Sequence, residues 1–209
     1  MNKELENILL KVSELYQKYG IKSVTMDDVA RELGISKKTL YIHVENKNDL
    51  VSKVLEFTLL ERNCTIEKII NKKLNAIEEL LEVGIQIVKT IKEYNPSTEY
   101  DLKKYYPELF KNLHNFRKEK MYKSILNNIQ NGKDEGLFRE DLDNEIIAKV
   151  QVSRFISMNT NDFFNADEVL QPKNILELFI YHIRGIANKK GLEVLEQTLN
   201  KINIQEYLQ

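Results

Sequence analysis

The chain has 209 residues, of which 42% are apolar and 30% charged, enough for a sizeable core in one or two domains. Its 31 basic and 32 acidic residues leave a net charge of −1, which excludes a globally basic surface that coats nucleic acid nonspecifically. The single cysteine, Cys64, excludes an intrachain disulfide, and without a signal-peptide pattern or a run of roughly 18 apolar residues we expect a soluble, cytoplasmic protein with no membrane partner.

The first predicted element is an amphipathic helix that Gly20 ends. Its apolar side chains recur at helical spacing, at Leu9, Val12, Leu15, Tyr16 and Tyr19. We therefore expect this helix to pack against the elements that follow it.

Residues 25–50 are predicted to form two short helices joined by a tight turn, then the start of a third helix. Gly34 suits the left-handed backbone of such a turn. Each helix begins at a residue that caps helix N-termini well, namely Thr25 (with Asp28 near the capping-box spacing), Ser36, and Asn46 with Asp49. This order is that of a helix-turn-helix, whose first helix braces the second in the DNA major groove.

The second of these helices carries the candidate DNA contacts. Side chains at its N-terminus reach base edges, and later ones are better placed for phosphates. The candidates for base contact are Ser36, Lys37, Lys38 and Thr39, and those for phosphate contact are Tyr41 and His43. Lysines alone more often solvate a surface, but in this register DNA binding is the better interpretation.

The same stretch and the helix before it resemble the TetR family of bacterial regulators. The resemblance covers about the first 50 residues and rests on Tyr19-Gly20-Ile21, Ser23-Val24-Thr25-Met26, Val29-Ala30, Leu33-Gly34-Ile35-Ser36, Thr39-Leu40-Tyr41, His43, and Lys47 with Asp49-Leu50. It departs at Lys38, where family members usually have a small residue, and at Val44, where they usually have an aromatic one. The resemblance implies that Thr25 and Lys47 contact DNA phosphates.

The rest of the chain is predicted to be helical because proline and glycine are scarce. The predicted helices cover about 47–70, 74–93, 98–105, 107–131, 144–163 (with Asp143 as N-cap), 172–188 and 192–202, with a loop at 132–136. We expect an all-α protein with a DNA-binding domain at 1–49 and a helical effector-binding and dimerisation domain at 50–209.

No pattern of catalytic or metal-binding residues accompanies these helices. His43, His114 and His182 are dozens of residues apart, without metal-ligand spacing, and a structural role is the better interpretation for the last two. A glycine-rich phosphate loop and a nucleophile elbow are also missing. We therefore expect no metal, no cofactor and no enzymatic activity.

Aromatic residues gather in the second predicted domain, where most should form the core. A cavity between bundle helices is nevertheless a common small-molecule site. The candidate ligand contacts are Phe57, Phe110, Phe116 and Phe155, with Asn159 as a polar contact.

The predicted function is that of a repressor that binds palindromic operator DNA as a homodimer, because a two-fold dimer reads two half-sites. The resemblance implies a four-helix interface within residues 144–190, for which Phe179 and Ile183 are the candidate contacts. An unidentified small-molecule effector would release the DNA. The alternatives are a DNA-binding regulator without a ligand switch, an activator, and a helical adaptor that acts through protein contacts alone.

Overall fold

The computed structural model of the protein describes residues 2–91, 95–157, 168 and 171–202. In these residues it contains α-helices and no strand, which confirms the predicted fold class, and Phe138 and Ala187 form an isolated antiparallel bridge. The helices are α1 (Lys3–Tyr19), α2 (Met26–Leu33), α3 (Lys37–His43), α4 (Lys47–Ile70), α5 (Ala76–Ile91), α6 (Pro96–Tyr105), α7 (Pro107–Asp134), α8 (Asn144–Ser157), α9 (Pro172–Ile186) and α10 (Lys189–Lys201).

The helices form two compact units. The first comprises residues 1–65 and 93–113, and the second comprises 66–92 and 114–209. Helices α4 and α7 each contribute residues to both units. The first unit extends past the boundary predicted at residue 49 and includes α6, whose Leu102 is buried in the same core cluster as Leu9 and Leu40.

The core of the first unit joins α1 to the helix-turn-helix. Its buried side chains come from each of the first four helices and include Leu9, Val12, Val29, Leu40 and Leu50. Tyr16 is also buried, but Tyr19 is 53% exposed, which corrects its assignment to the apolar face of α1. The ammonium of Lys18 lies 5.0 Å from the centre of the Tyr19 ring, so the ring is covered on one side without entering the core.

In the second unit, α5 packs along α9. Ile183 shares one buried cluster with Ile77 and Leu80 of α5. Phe179 lies against Gly84, where a Cβ atom would be only 3.0 Å from the Phe179 ring. Both side chains are at most 2% exposed, which corrects their assignment to an outward pairing face: the apolar side of α9 is covered within the protomer.

Helix α7 runs three residues further than predicted and ends at Asp134, so Gly132 is helical rather than part of a loop. The prediction was wrong because glycine is required at this position for close packing. The fully buried Phe138 ring occupies the space that a Cβ of residue 132 would fill. The chain turns only at Gly136, whose φ of 67° lies in the left-handed region that glycine adopts readily.

Three other helix starts follow from capping. Asp143 accepts a hydrogen bond from the amide of Ile146 at 3.0 Å, which confirms it as the N-cap of α8. Helix α6 begins at Pro96, two residues before the predicted start, because proline fits the first turn and Asn95 caps it. Helix α10 begins at Lys189, because Asn188 accepts the amide proton of Gly191. The predicted end of α8, at residue 163, lies outside the described residues, and no described helix is long and apolar enough to cross a membrane.

Candidate nucleic-acid interface

A tight turn orients α3 against α2. Gly34 has φ 66° and ψ 28°, and its amide donates to the carbonyl oxygens of Ala30 and Arg31. The amide of Ile35 donates back to Ala30 at 3.0 Å, which closes the turn. Leu40 then anchors α3 with no exposed surface, so the opposite side of this helix faces solvent.

The three predicted N-caps of this region are confirmed. Thr25 and Asp28 form a reciprocal capping box, and the amide of Asp49 donates to Asn46 at 3.0 Å. The Thr25 hydroxyl donates to Asp28 Oδ2 at 2.7 Å, and this bond is the main reason why the pKa of Asp28 is lowered. The hydroxyl predicted to contact phosphate is therefore already engaged in capping α2.

Two more of the predicted contacts are engaged with each other at the start of α3. The Ser36 hydroxyl accepts a hydrogen bond from the Thr39 amide at 3.0 Å, and the two hydroxyl oxygens are 2.8 Å apart. This pairing satisfies one of the orphan amides at the helix start. It also holds the Thr39 side chain in one orientation.

The two lysines of α3 differ in their partners. Lys37 forms an ion pair with Asp27 of α2 at 2.7 Å, and this contact raises the pKa of Lys37. Both side chains of the pair are largely exposed, so the pair is weak and can be exchanged for a stronger anion. Lys38 is exposed and forms no ion pair with any residue that the structure describes.

The outward side of α3 combines charge with apolar surface. Tyr41 is 46% exposed, and Ile42, one turn after Lys38, is 74% exposed. Ile42 was not among the predicted contacts, which were polar or amphipathic residues. Its position was the available signal. Leu40 and Val44 face the core, and Ile42 lies two residues from each of them, on the opposite side of the helix.

The remaining two predicted contacts have partners inside the first unit. The His43 side chain is only 14% exposed, and its Nε2 lies 3.5 Å from Glu4 Oε1 of α1. The Lys47 ammonium donates to the carbonyl oxygen of Lys22 at 3.1 Å. Burial lowers the pKa of Lys47, and the carboxylate of Asp101 partly offsets this effect.

The candidate ligand contacts are divided between the two units. Phe57 and Phe110 pack against the core of the first unit. Phe155 belongs to the second unit, where its ring centre lies 5.3 Å from that of Phe179, and Phe116 is 42% exposed. Asn159 lies outside the described residues.

Of the two histidines predicted to be structural, His182 is buried in the second unit. Its Nε2 has no hydrogen-bond partner in the described part of the chain. Burial, followed by the nearby charge of Arg154, lowers the pKa of His182 to about 4. The ring is therefore neutral at pH 7.

Comparison with known proteins shows which proteins the helix-turn-helix region resembles. Residues 8–54 match the model of the bacterial regulatory proteins of the tetR family. An HTH-type transcriptional regulator of Bacillus subtilis, YvaF, is 34% identical over 116 residues. That alignment covers 54% of this chain and 60% of the relative, so the chain spans less than two thirds of its length.

Solved structures share the fold along most of the chain. A transcriptional regulator from Cytophaga hutchinsonii has a TM-score of 0.74 and 20% identity, with 90% of this chain and all of the other covered. A transcriptional regulator from Saccharomonospora viridis, solved with choline, has a TM-score of 0.65 and 20% identity at the same coverage. The capped helix-turn-helix at residues 25–50 lies within the stretch that matches the tetR family of bacterial regulatory proteins, and most of the chain shares its fold with these solved structures.

Proposed function

We propose that this protein is a sequence-specific transcriptional regulator that binds double-stranded operator DNA through α3. The observation that carries the proposal is the outward side of α3, where Lys38, Tyr41 and Ile42 are exposed on a helix anchored by buried Leu40. Lysine donates to guanine acceptors, and an apolar side chain packs on a thymine methyl group. Lys37 adds a further cation when DNA phosphate replaces Asp27.

We further propose that the protein acts as a homodimer on a palindromic operator. A single helix-turn-helix reads one half-site, and a two-fold dimer reads two half-sites one helical turn apart. Helix α8 presents Ile146 and Val150, one turn apart and 54% and 60% exposed, and α9 presents Tyr181, which is 71% exposed. These three residues replace Phe179 and Ile183 as the proposed pairing contacts within residues 144–190.

Repression with release by a small-molecule effector completes the proposal. It is supported by related structures, among them the regulator solved with choline and one described as a ketosteroid transcriptional regulator from Mycobacterium tuberculosis, 17% identical with a TM-score of 0.56. Helix α4 begins beside α3 and contributes residues to both units, so it offers a covalent route between them. An effector that prefers one conformation weakens DNA binding by the factor by which DNA weakens effector binding.

The test starts from DNA sequences that the purified protein selects from a random duplex library. Lys38→Ala should then bind the selected duplex about 5–150-fold more weakly, as expected for a lost base contact of roughly 1–3 kcal/mol. Lys173→Ala, an exposed lysine of the second unit, removes the same charge and should bind like the wild-type protein. A library without any enriched sequence would refute sequence-specific binding and favour the adaptor.

A further inference from the structure

Two lysines from different elements of the first unit surround one tyrosine ring. The Lys22 ammonium, from the turn between α1 and α2, lies 4.8 Å from the centre of the Tyr105 ring of α6. The Lys104 ammonium lies 5.5 Å from the same centre and donates a hydrogen bond to the Tyr100 hydroxyl at 2.9 Å. Both lysines and both tyrosines are exposed, so the cluster is open to solvent.

The cluster is held in place by partly buried hydrogen bonds that join α6 to α1 and to the turn after α1. Asp101 of α6, only 8% exposed, accepts the backbone amide proton of Lys22 at 2.8 Å. One turn earlier in α6, the Thr98 hydroxyl donates to the carbonyl oxygen of Tyr16 at 2.9 Å. The backbone that carries Lys22 is therefore fixed to the helix that carries Lys104.

The two ammonium groups of the cluster are available to bind an anion. Neither Lys22 nor Lys104 forms an ion pair with a carboxylate among the described residues, and their ammonium groups lie on aromatic rings and hydroxyls instead. Asp101 is the nearby carboxylate, and its Oδ2 is engaged by the Lys22 amide. The neighbouring Lys103 differs, because it pairs with Glu99 at 2.7 Å.

The cluster also continues the candidate DNA interface. The carbonyl oxygen of Lys22 accepts the hydrogen bond from Lys47, the residue at the start of α4 that was predicted to contact phosphate. Three cations, Lys22, Lys47 and Lys104, thus lie around the turn that leads into α2. The carboxylates that act on Lys47 are those of the buried Asp101 and of Asp28, and Asp28 is engaged in capping α2. Such a fixed group of cations matches the repeating negative charge of a DNA strand.

We propose that Lys22, Lys104 and the Tyr105 hydroxyl form a second phosphate-binding site, which takes the DNA backbone outside the bases read by α3. The site rests on the proposed DNA-binding function and extends the contact surface from the helix-turn-helix to α6. Lysine ammonium and phenol groups both donate hydrogen bonds to phosphate oxygens. Since the contact involves no base, it adds affinity and register without adding sequence preference.

The salt dependence of DNA binding tests the proposal. The full-length protein is titrated onto a fluorescent duplex taken from the library selection, at several salt concentrations. Each phosphate neutralised contributes about 0.9 to the slope of log K against log salt. Lys22→Ala and Lys104→Ala should each reduce the slope by roughly that amount per protomer, whereas Lys103→Ala should leave it unchanged because Glu99 already neutralises that charge.

Two further measurements distinguish contact with particular phosphates from nonspecific electrostatic attraction to DNA. When the duplex is shortened stepwise at both ends, the wild-type slope should fall to that of the double variant Lys22→Ala/Lys104→Ala once the flanking phosphates are gone. Tyr105→Phe, which keeps the ring, should weaken binding to the long duplex only. Equal slopes for Lys22→Ala, Lys104→Ala and the wild-type protein would overturn the second site while leaving DNA binding by α3 intact.

An equal loss of slope in Lys103→Ala would also overturn it, because the effect would then be nonspecific attraction. If the wild-type protein binds no selected duplex, both this site and the proposed function fail.

Discussion

Replacing Gly132 with alanine should destabilise the protein, although alanine is the better helix former. Gly132 lies in the last turn of α7, and an added Cβ would be 2.6 Å from Cγ of Phe138 and closer still to two other ring atoms. The ring cannot move aside to relieve this overlap, because Phe138 is fully buried. The backbone cannot separate easily either, since the Gly132 carbonyl accepts the amides of Leu137 at 2.8 Å and Phe138 at 3.0 Å.

The magnitude follows from two opposing effects. Exchanging glycine for alanine in a helix stabilises it by at most about 1 kcal/mol. Forcing a methyl group into a well-packed core costs about 1–3 kcal/mol. Because the added Cβ would overlap three atoms of the ring, the upper end of this cost applies, and Gly132→Ala should lower the free energy of unfolding by about 2 kcal/mol.

Gly185 provides a matched control for the same substitution. It is also helical, in the last turn of α9, but an added Cβ there would meet no atom within 4 Å. Gly185→Ala should stabilise the protein by about 0.5–1 kcal/mol. The free energies of both variants are measured by urea unfolding at one fixed protein concentration, since dimerisation would make stability concentration-dependent. A Gly132→Ala variant at least as stable as the wild-type protein would refute the packing explanation.

Three further predictions concern the interface, the protomer core and the pairing surface. If Ile42 packs on a thymine methyl group, replacing thymine by deoxyuridine in the selected duplex should cost the wild-type protein on the order of 0.8 kcal/mol and leave Ile42→Ala unaffected; equal losses in both proteins would contradict this contact. Because the pKa of His182 is lowered to about 4, the unfolded state binds a proton at higher pH, so unfolding free energy should fall by roughly 3 kcal/mol between pH 6.5 and 4. His182→Leu should remove this part of the pH dependence, and an unchanged profile would show that the ring is not neutral through burial. Val150→Asp should shift sedimentation from dimer to monomer, because a charge would be placed in an apolar contact; a persistent dimer would exclude Val150 from the pairing surface.

The helix-turn-helix could be predicted because its signals act over three or four residues. The capping residues Thr25, Ser36 and Asn46 each bond to a backbone amide within one turn, and Gly34 meets a purely local backbone requirement. Such contacts depend little on the rest of the molecule, so the residue types and their spacing predict them. The bounds of α4 were also predicted, from the cap at Asn46 and from the lack of proline and glycine between Lys47 and Ile70.

Contacts between residues far apart in sequence could not be predicted from such local patterns. His43 is covered by Glu4, and Lys47 donates to Lys22, 25 residues away, so two residues predicted as free DNA contacts are partly engaged within the protomer. The sequence offered no means of pairing these residues, because charged groups are abundant on every helix.

The sequence by itself determined that this chain is all-helical and carries a capped helix-turn-helix near its N-terminus. Only the tertiary structure decided which apolar faces are covered within the protomer. In α9, Phe179 and Ile183 lie against α5, whereas Tyr181 faces outward. The physical reason is that hydrophobic burial is non-directional. A helix with apolar residues on more than one side can be covered from any of them, and the packing of all the helices together selects the side.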